Sequence, residues 1–348
     1  MNTSLKIQPF NIQGAKQFEY EALNRHNNNI RYERLPDDPP IPMEEMIRQF
    51  QNLPPFVDWR IWCVWNPEHT EIVAQGNVAL MRVEENKHVA QFDIAVQKEY
   101  RRQGLGKQLL ALVANACQED NRRLLIVDTS DRIPEGEEFL NLLGAKKGLV
   151  GHVNQLRLSE LDQSLVDHWL KNGKQNEPVF ELGVWEGFYP EEQLDEIVQL
   201  LDLVNQQPLG DLEIEDMHIS PDQLLQMQKM DTARGNIRTT FYVLEKETGK
   251  FAGYTETIWN PNRPEILRQD MTGVYPQYRG KGLGRWLKAA MLDKVLKDYP
   301  QVKYIRTQNA DMNAAMLKIN NELGFQPYMA IATWQIEIEN INKYLNKS

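Results

Sequence analysis

Residues 278–285 combine glycine with basic side chains in a way that suits the binding of a diphosphate. They follow an extended run at 266–274 and precede a helix-like run at 286–296. A strand, a glycine-rich turn and a helix in this order direct free backbone N–H groups at an anion, and the helix N-terminus adds partial positive charge. Glycine lets the backbone approach the ligand because it has no Cβ. The predicted diphosphate-binding residues are Arg279, Gly280, Lys281, Gly282, Leu283, Gly284 and Arg285.

A second copy of this loop lies in the first half of the chain. Residues 100–107 repeat the pattern, again after a strand-like stretch (88–96) and before a helix-like one (108–118). Arg279 lies 178 residues after Arg101, and Gly324 lies 180 residues after Gly144. Two landmarks at nearly the same offset predict an internal duplication. The anion-binding residues predicted in this copy are Arg101, Arg102, Gln103, Gly104, Gly106 and Lys107.

The spacing of these glycines excludes two common phosphate loops. Residues 278–285 contain neither Gly-x-x-x-x-Gly-Lys-Ser/Thr nor Gly-x-Gly-x-x-Gly. They resemble instead Gln/Arg-x-x-Gly-x-Gly/Ala, the coenzyme A diphosphate loop of the GNAT N-acetyltransferase superfamily. Downstream, Asn313 opens a helix-like run that closes with Leu323-Gly324-Phe325, which resembles a second signature of that superfamily. The chain as a whole is similar to tandem GNAT proteins of the mycothiol synthase kind.

The resemblance implies the fold class and the coenzyme. Each half is expected to be an α/β domain with a mixed, mostly antiparallel sheet (α+β), in which the fourth and fifth strands splay apart around acetyl-CoA. It also implies coenzyme contacts for Val274, Asn309 and Asn313. The polar stretch at 171–178 suits a linker, which predicts a first domain at 1–170 and a second at 179–348.

The side chains next to the expected thioester position differ between the two halves. Side chains alternate between the two faces of a strand, so every second residue shares a face. In the second half the residues on this face are Arg268, Asp270, Thr272 and Val274, and in the first half they are Ala90, Phe92, Ile94 and Val96. A carboxylate beside an acceptor amine can take its proton, so Asp270 with Thr272 is the favoured catalytic pair. An ion pair between Asp270 and Arg268 is the structural alternative, and Glu256 on the neighbouring strand is a second candidate base. The second half is therefore predicted to catalyse, and the first to be degenerate or structural.

The general acid of the family has no counterpart in this sequence. Many GNAT enzymes carry a tyrosine four residues before the glycine of Gly-Phe, where it protonates the departing thiolate. The residue in that position is Asn320 in the second half and Leu140 in the first. Asn320 can donate a hydrogen bond but cannot deliver a proton. It remains a catalytic candidate, and the assignment of acid and base stays open.

The overall composition limits the partners and the location. A net charge of −10 argues against a nucleic-acid binder. The six histidines lack ligand spacing, so no metal is predicted. No segment has the length and apolarity of a membrane span or of a signal peptide, so no membrane partner is expected. Two cysteines without metal spacing, Cys63 and Cys117, indicate a reducing compartment, and a cytoplasmic protein is expected.

The leading hypothesis is an acetyl-CoA-dependent N-acetyltransferase that acts on a small-molecule amine by direct attack in a ternary complex. Two alternatives stay open: an acyl-CoA-binding regulatory protein without turnover, and a transferase that acts on a protein or a peptidoglycan precursor. The sequence leaves the acceptor and the acyl chain length undetermined. It also leaves the oligomeric state undetermined, with a homodimer as one option.

Overall fold

The computed structural model describes residues 5–346, which contain twelve strands and ten α-helices. The strands are β1 (Lys6–Pro9), β2 (Val57–Trp65), β3 (Ile72–Met81), β4 (Val89–Val96), β5 (Leu124–Ser130), β6 (Lys146–Arg157), β7 (Phe180–Glu186), β8 (Ile237–Glu245), β9 (Lys250–Trp259), β10 (Ile266–Val274), β11 (Tyr304–Ala310) and β12 (Gln326–Glu337). The helices are α1 (Gln17–Arg34), α2 (Met43–Gln51), α3 (Leu105–Glu119), α4 (Pro134–Leu142), α5 (Gln163–Gly173), α6 (Leu194–Leu201), α7 (Pro221–Ala233), α8 (Leu283–Asp298), α9 (Ala314–Glu322) and α10 (Ile338–Leu345).

The chain divides into two compact units. Unit 1 runs up to Val150 and also contains Leu209–Asp216 and the chain from Ala330 onward. Unit 2 consists of Gly151–Pro208 and Met217–Met329. The strand order is β1-β2-β3-β4-β5-β12 in unit 1 and β6-β11-β10-β9-β8-β7 in unit 2. Each sheet is therefore completed by a strand from the other half of the sequence.

The predicted linker at 171–178 is wrong. These residues form the end of α5 and a short 3₁₀ helix at Lys174–Asn176, and they lie inside unit 2. β6 pairs with β11 from Gly151 to Arg157, and Val166 and Trp169 of α5 are buried in the core that α8 also enters. The stretch looks like a linker in the sequence because the end of α5 exposes polar side chains to solvent.

The predicted splay of the fourth and fifth strands is present in both units. β10 and β11 are parallel and pair only over Ile266–Arg268, although β10 continues to Val274. β4 and β5 likewise pair only over Val89–Gln91. All other pairs within each unit are antiparallel. Because the parallel pair separates after three residues, the edge of β10 that faces β11 has unpaired backbone groups beyond Arg268. An extended ligand can form hydrogen bonds with such an edge.

Two apolar layers cover the sheet of unit 2. On one face, α5 and α8 bury a large core that includes Trp169, Leu267, Leu287 and Ile305. On the other face, α6 and α7 enclose two smaller clusters around Tyr189 and Tyr254. Strand residues that face α8 and strand residues that face α6 therefore have different surroundings.

A buried histidine, His26, is expected to make unit 1 sensitive to acid. His26 of α1 is buried, and its Nδ1 lies 3.1 Å from the carbonyl oxygen of Ile72. Burial lowers its pKa to about 4, against the opposing effect of that hydrogen bond. The unfolded chain, with a histidine pKa of about 6.5, binds the proton more readily, so stability is lost as the pH falls from about 6.5 to about 4.

We expect His26→Leu to remove this loss in the free energy of unfolding, which amounts to about 3 kcal/mol near pH 4. Gln97 Nε2, which donates to the same Ile72 oxygen at 2.8 Å, keeps this acceptor satisfied in the variant. Urea denaturation at pH 7 and at pH 4.5 measures the difference. The exposed His168 gives the control His168→Gln, whose pH dependence should equal that of the wild type. Equal acid sensitivity of His26→Leu and the wild type would contradict the prediction.

Candidate active site

The two glycine loops have the same backbone conformation. Gly282 and Gly104 are the N-caps of α8 and α3, with φ of 78° and 81°. Two residues earlier, Gly280 and Arg102 have φ of 79° and 61°. In both loops the arginine folds back on the preceding strand, with Nε of Arg279 and of Arg101 each 3.0 Å from a strand carbonyl oxygen. The duplication therefore extends to the geometry of the loop.

The charge around the two loops is different. In unit 1, the Arg101 guanidinium binds the carboxylates of Glu33 at 2.5 Å and Glu135 at 3.1 Å. In unit 2, the Arg279 guanidinium donates to the neutral amide of Gln206 at 2.6 Å. An anionic ligand would meet two carboxylates at the first loop and none on this arginine at the second.

The start of α8 borders a cavity of about 370 Å³ lined in part by Lys281, Gly282 and Arg285. The Arg285 guanidinium binds Glu322 of α9 through two hydrogen bonds of 2.9 and 2.8 Å. The Lys281 ammonium lies 5.2 Å from the ring centroid of Phe180. A Cβ atom added at Gly280 or at Gly282 would meet no atom within 4 Å, so space in front of this loop is open.

A β-bulge in β10 corrects the predicted strand face. Gln269 pairs with Thr257, and Thr272 pairs with Thr255, so two residues of β10 lie opposite Glu256 alone. Because of this extra residue, the side chains of Gln269 and Thr272 face the same side of the sheet. Their side chains are joined by a 3.0 Å hydrogen bond. Asp270 and Thr272 are therefore on opposite faces, and the predicted Asp–Thr pair does not form.

Glu256 lies in a buried polar cluster on the face that α6 and α7 cover. Its Oε2 accepts hydrogen bonds from the Tyr189 hydroxyl at 2.7 Å and the Thr240 hydroxyl at 2.8 Å. Arg238 Nε lies 3.7 Å from the same oxygen. Burial is the largest cause of a raised pKa at Glu256, and the charge of Asp270 adds to it, whereas Arg238 and the two hydroxyls act to lower it. A partly accessible carboxyl group with a raised pKa can act as a general base.

Asp270 forms the ion pair that the sequence offered as the structural alternative. Its carboxylate lies 2.7 Å from Arg268 Nε and 3.0 Å from an Arg268 terminal nitrogen, and its side chain is one-third exposed. The group lies on the same face as Glu256, to which its charge is coupled. Asp270 can therefore tune Glu256 electrostatically.

Unit 1 keeps Asp270's counterpart and lacks that of Glu256. β3 and β4 pair without a bulge from Gln91 to Val96, and Asp93 lies opposite Asn77. The Asn77 amide oxygen accepts a hydrogen bond from Trp59 Nε1 at 3.1 Å. Because an amide cannot accept a proton from an amine, the position that corresponds to Glu256 has no base in unit 1.

The other predicted site residues of unit 2 lie around the gap between β10 and β11. Asn320 is buried, and its Nδ2 donates to Asn309 Oδ1 at 2.8 Å. Asn313 caps α9 through a 3.3 Å bond to Met316 N, and its Nδ2 donates to Gln207 Oε1 at 2.9 Å. Val274 packs on the core beneath α8 and offers its carbonyl oxygen to Arg279.

Sequence reasoning missed Lys288, which is bonded to Asn320 and buried in α8. The signal was present, since Lys288 stands alone among apolar residues from Trp286 to Leu292. From the sequence, Glu256 is only the second candidate, because the alternation of β9 does not show which of its faces meets the cleft. Among residues 5–346, no helix is long and apolar enough to cross a membrane, and no three acidic, histidine or cysteine side chains cluster as metal ligands.

Three features of unit 2 together define an acyl-coenzyme A transferase fold. They are the splayed strand pair, the glycine loop at the N-terminus of the following helix, and the bulge in the fourth strand. Residues 58–138 match the model of the acetyltransferase (GNAT) domain, and residues 198–325 match that of the acetyltransferase (GNAT) family. The two matches together span more than half of the chain. The protein belongs to the GNAT acetyltransferase family and carries two of its domains in tandem.

Solved structures share this tandem fold at low sequence identity. A tandem GNAT protein from the clavulanic acid biosynthesis pathway is 22% identical, with a TM-score of 0.75 over 96% of this chain and 99% of that one. A GCN5-related N-acetyltransferase from Sphaerobacter thermophilus is 13% identical, with a TM-score of 0.65 over 95% and 96%. The Saccharomyces cerevisiae N-myristoyltransferase, solved with myristoyl-CoA, is 10% identical, with a TM-score of 0.57 over 97% and 83%. No curated protein sequence matches the chain significantly.

Proposed function

We propose that the protein transfers an acetyl group from acetyl-CoA to the amine of a small molecule, and that unit 2 performs the reaction. The observation that carries this proposal is the Glu256 cluster. A carboxyl group with a raised pKa faces the bulged strand beside the coenzyme gap in unit 2 and is replaced by Asn77 in unit 1. In this proposal Glu256 takes the proton of the acceptor amine, and Asp270 raises its affinity for that proton.

The coenzyme is held by the second loop. The N–H groups at the start of α8 and the side chains of Arg279 and Lys281 supply the positive potential that a diphosphate requires. Arg285 borders the same site, but Glu322 already binds its guanidinium. The first loop has the same backbone, but Glu33 and Glu135 already bind its arginine. Unit 1 is thus proposed to be a structural partner without bound coenzyme.

Transfer is proposed to occur by direct attack in a ternary complex. An acyl-enzyme would need a nucleophilic thiolate, but burial raises the pKa of Cys117 to about 12 and that of Cys63 further still. Both thiols are free and buried, which also supports the proposed cytoplasmic location. A protonated, inaccessible thiol is a poor nucleophile.

Release of the coenzyme thiol in the presence of a panel of amines tests the function. The panel should contain polyamines, amino sugars, aminoglycosides, a lysine peptide and a peptidoglycan stem peptide. We expect turnover with a small amine and intersecting initial-velocity lines when both substrates are varied, as a ternary complex requires. Parallel lines would exclude direct attack, and turnover with the peptides alone would assign a macromolecular acceptor.

An acyl-CoA-binding protein without turnover is the second candidate. The specific observation behind it is the lack of a tyrosine at Asn320 and at Leu140. Calorimetric binding of acetyl-CoA without thiol release for any amine would favour this candidate.

A further inference from the structure

A lysine is buried without a counter-ion in the core of unit 2. Lys288 of α8 is 1% exposed, and its Nζ donates to Gln269 Oε1 at 2.9 Å and to Asn320 Oδ1 at 2.6 Å. Both acceptors are neutral amides, and no carboxylate of the described chain forms an ion pair with this ammonium within 4 Å. Burial of an unpaired charge is costly, so the lysine needs an explanation other than stability.

The hydrogen bonds of Lys288 connect the two strands that part at the gap. On the β10 side, Gln269 Nε2 donates to the hydroxyls of Thr255 at 3.1 Å and Thr272 at 3.0 Å. On the β11 side, Asn320 continues to Asn309, whose Oδ1 also accepts from Asn154 Nδ2 at 3.2 Å. The ammonium therefore lies at the position where β10 and β11 diverge.

Unit 1 builds the same fold with apolar residues in place of Lys288, Asn320, Gln269 and Thr272. The residues that correspond to Lys288 and Asn320 are Leu110 and Leu140, which are 0% and 3% exposed and share one apolar cluster. Phe92 and Ile94 stand in the positions of Gln269 and Thr272 and pack on the same cluster. A GNAT core thus closes well with leucines at these positions, and the lysine in unit 2 has no structural necessity.

We propose that Lys288 is the general acid that protonates the coenzyme A thiolate in unit 2. This inference rests on the proposed acyl transfer. Nζ has three hydrogens when protonated and donates two of them to Gln269 and Asn320, which leaves one for a third acceptor. Asn320 occupies the position of the family's tyrosine, and Lys288 lies one hydrogen bond behind it.

The proton balance is closed by Glu256. The amine nitrogen forms a bond to the thioester carbon and gives a proton to the Glu256 carboxylate. The carbon–sulfur bond breaks, its electron pair stays on sulfur, and a proton passes from Lys288 Nζ to that sulfur. Neutral Lys288 and protonated Glu256 return to their starting states by exchange with water. The products are the amide and the free thiol, with no net proton change.

The surroundings of Lys288 suit such a role near neutral pH. Burial alone lowers its pKa to about 7. Within one helical turn of Lys288 the only charged side chain of α8 is Arg285, and the neighbouring α9 carries Lys318 and Glu322. The strand residues Arg268, Asp270, Glu256 and Arg306 point to the other sheet face. An acid with a pKa close to the working pH can both give and regain a proton.

The variant Lys288→Met tests the proposal against a merely structural role. We expect acetyl-CoA to bind within about threefold of wild-type affinity, while kcat falls by about 100-fold or more, the usual loss for a general acid. Thiolate absorbance against pH measures the pKa of the thiol of bound coenzyme A. We expect this pKa to lie below the ordinary thiol value of about 8.5 in the wild type and at or above that value in Lys288→Met. Leu110→Met is the matched control in unit 1 and should change neither quantity.

Two further variants complete the test. Lys288→Arg keeps the charge but holds its proton too tightly, so its kcat should stay low; full activity would overturn the proposal in favour of a charge effect. Wild-type kcat, or an unchanged thiol pKa, in Lys288→Met would also overturn it. If Lys288→Met does not fold, the double variant Lys288→Leu/Asn320→Leu, which carries the leucines of unit 1, takes its place. A wild type that binds acetyl-CoA but acetylates no amine would refute the proposed function. In that case the pKa of the bound coenzyme A thiol would still test the role of Lys288.

Discussion

Gly282→Glu should abolish the binding of acetyl-CoA in a calorimetric titration. Gly282 caps α8 with φ of 78°, at the point where the free N–H groups of the helix and the neighbouring basic side chains converge. A glutamate there places a carboxylate beside those N–H groups, where it takes the position of the phosphate and repels it. We expect affinity to fall by more than about 100-fold, a loss of at least about 2.7 kcal/mol.

The duplicated loop provides the matched control. Gly104 has nearly the same conformation, with φ of 81°, and Gly104→Glu should leave binding unchanged if unit 1 holds no coenzyme. Gly282→Ala separates backbone strain from charge, since it adds only the cost of a Cβ at positive φ, about 1 kcal/mol. Two binding events, each removed by one glutamate, would mean that both units hold coenzyme. A wild type that binds no acetyl-CoA would refute the coenzyme interpretation.

Glu256→Gln should reduce kcat by about 100- to 10,000-fold, the range found for loss of a general base. The glutamine is isosteric and can still accept from the hydroxyls of Tyr189 and Thr240, so the fold and acetyl-CoA affinity should be retained. In the wild type, the rate should rise with pH as the carboxyl group loses its proton. Because the pKa of Glu256 is raised, this rise should occur at higher pH than the value of about 4.3 for an ordinary glutamate.

Asp270→Asn is the companion variant, and it should move the pH profile with only a small loss of kcat. The negative charge of Asp270 is one cause of the raised pKa at Glu256, so its removal favours ionised Glu256 and shifts the acid limb to lower pH. Steady-state rates from pH 5 to 9 compare the three proteins. Loss of activity in Asp270→Asn together with normal activity in Glu256→Gln would make Asp270 the base.

The sequence was sufficient for the features that local chemistry determines. Glycine at 282 and 104 and the basic residues around them define the loops, and the offsets of about half the chain reveal two copies. The loops depend on backbone conformation and anion binding over a few residues only, and the tandem GNAT fold that they predict is confirmed.

Features that depend on pairing between distant strands could not be predicted in this way. The bulge at Gln269–Thr272 appears only in the register of β10 against β9, and its extra residue reverses the faces of the residues before it relative to those after it. Simple alternation therefore groups Asp270 with Thr272, although its neighbour across the sheet is Glu256. The polar end of α5 resembled a linker for a similar reason, since its apolar partners, among them Trp286, are more than a hundred residues away.

The exchanged strands affect how this chain can form during its synthesis. β5 pairs with β4 over only three residues on one edge and with Ile331–Glu337 of β12 on the other. The edge that pairs with β12 therefore has no partner until almost the whole chain has left the ribosome. An incomplete unit 1 would expose an unpaired strand that invites aggregation. Cutting the gene at the midpoint would likewise leave residues 179–348 without β6 and α5. The exchange of β6 and β12 therefore makes the folding of each copy depend on residues from the other half of the chain.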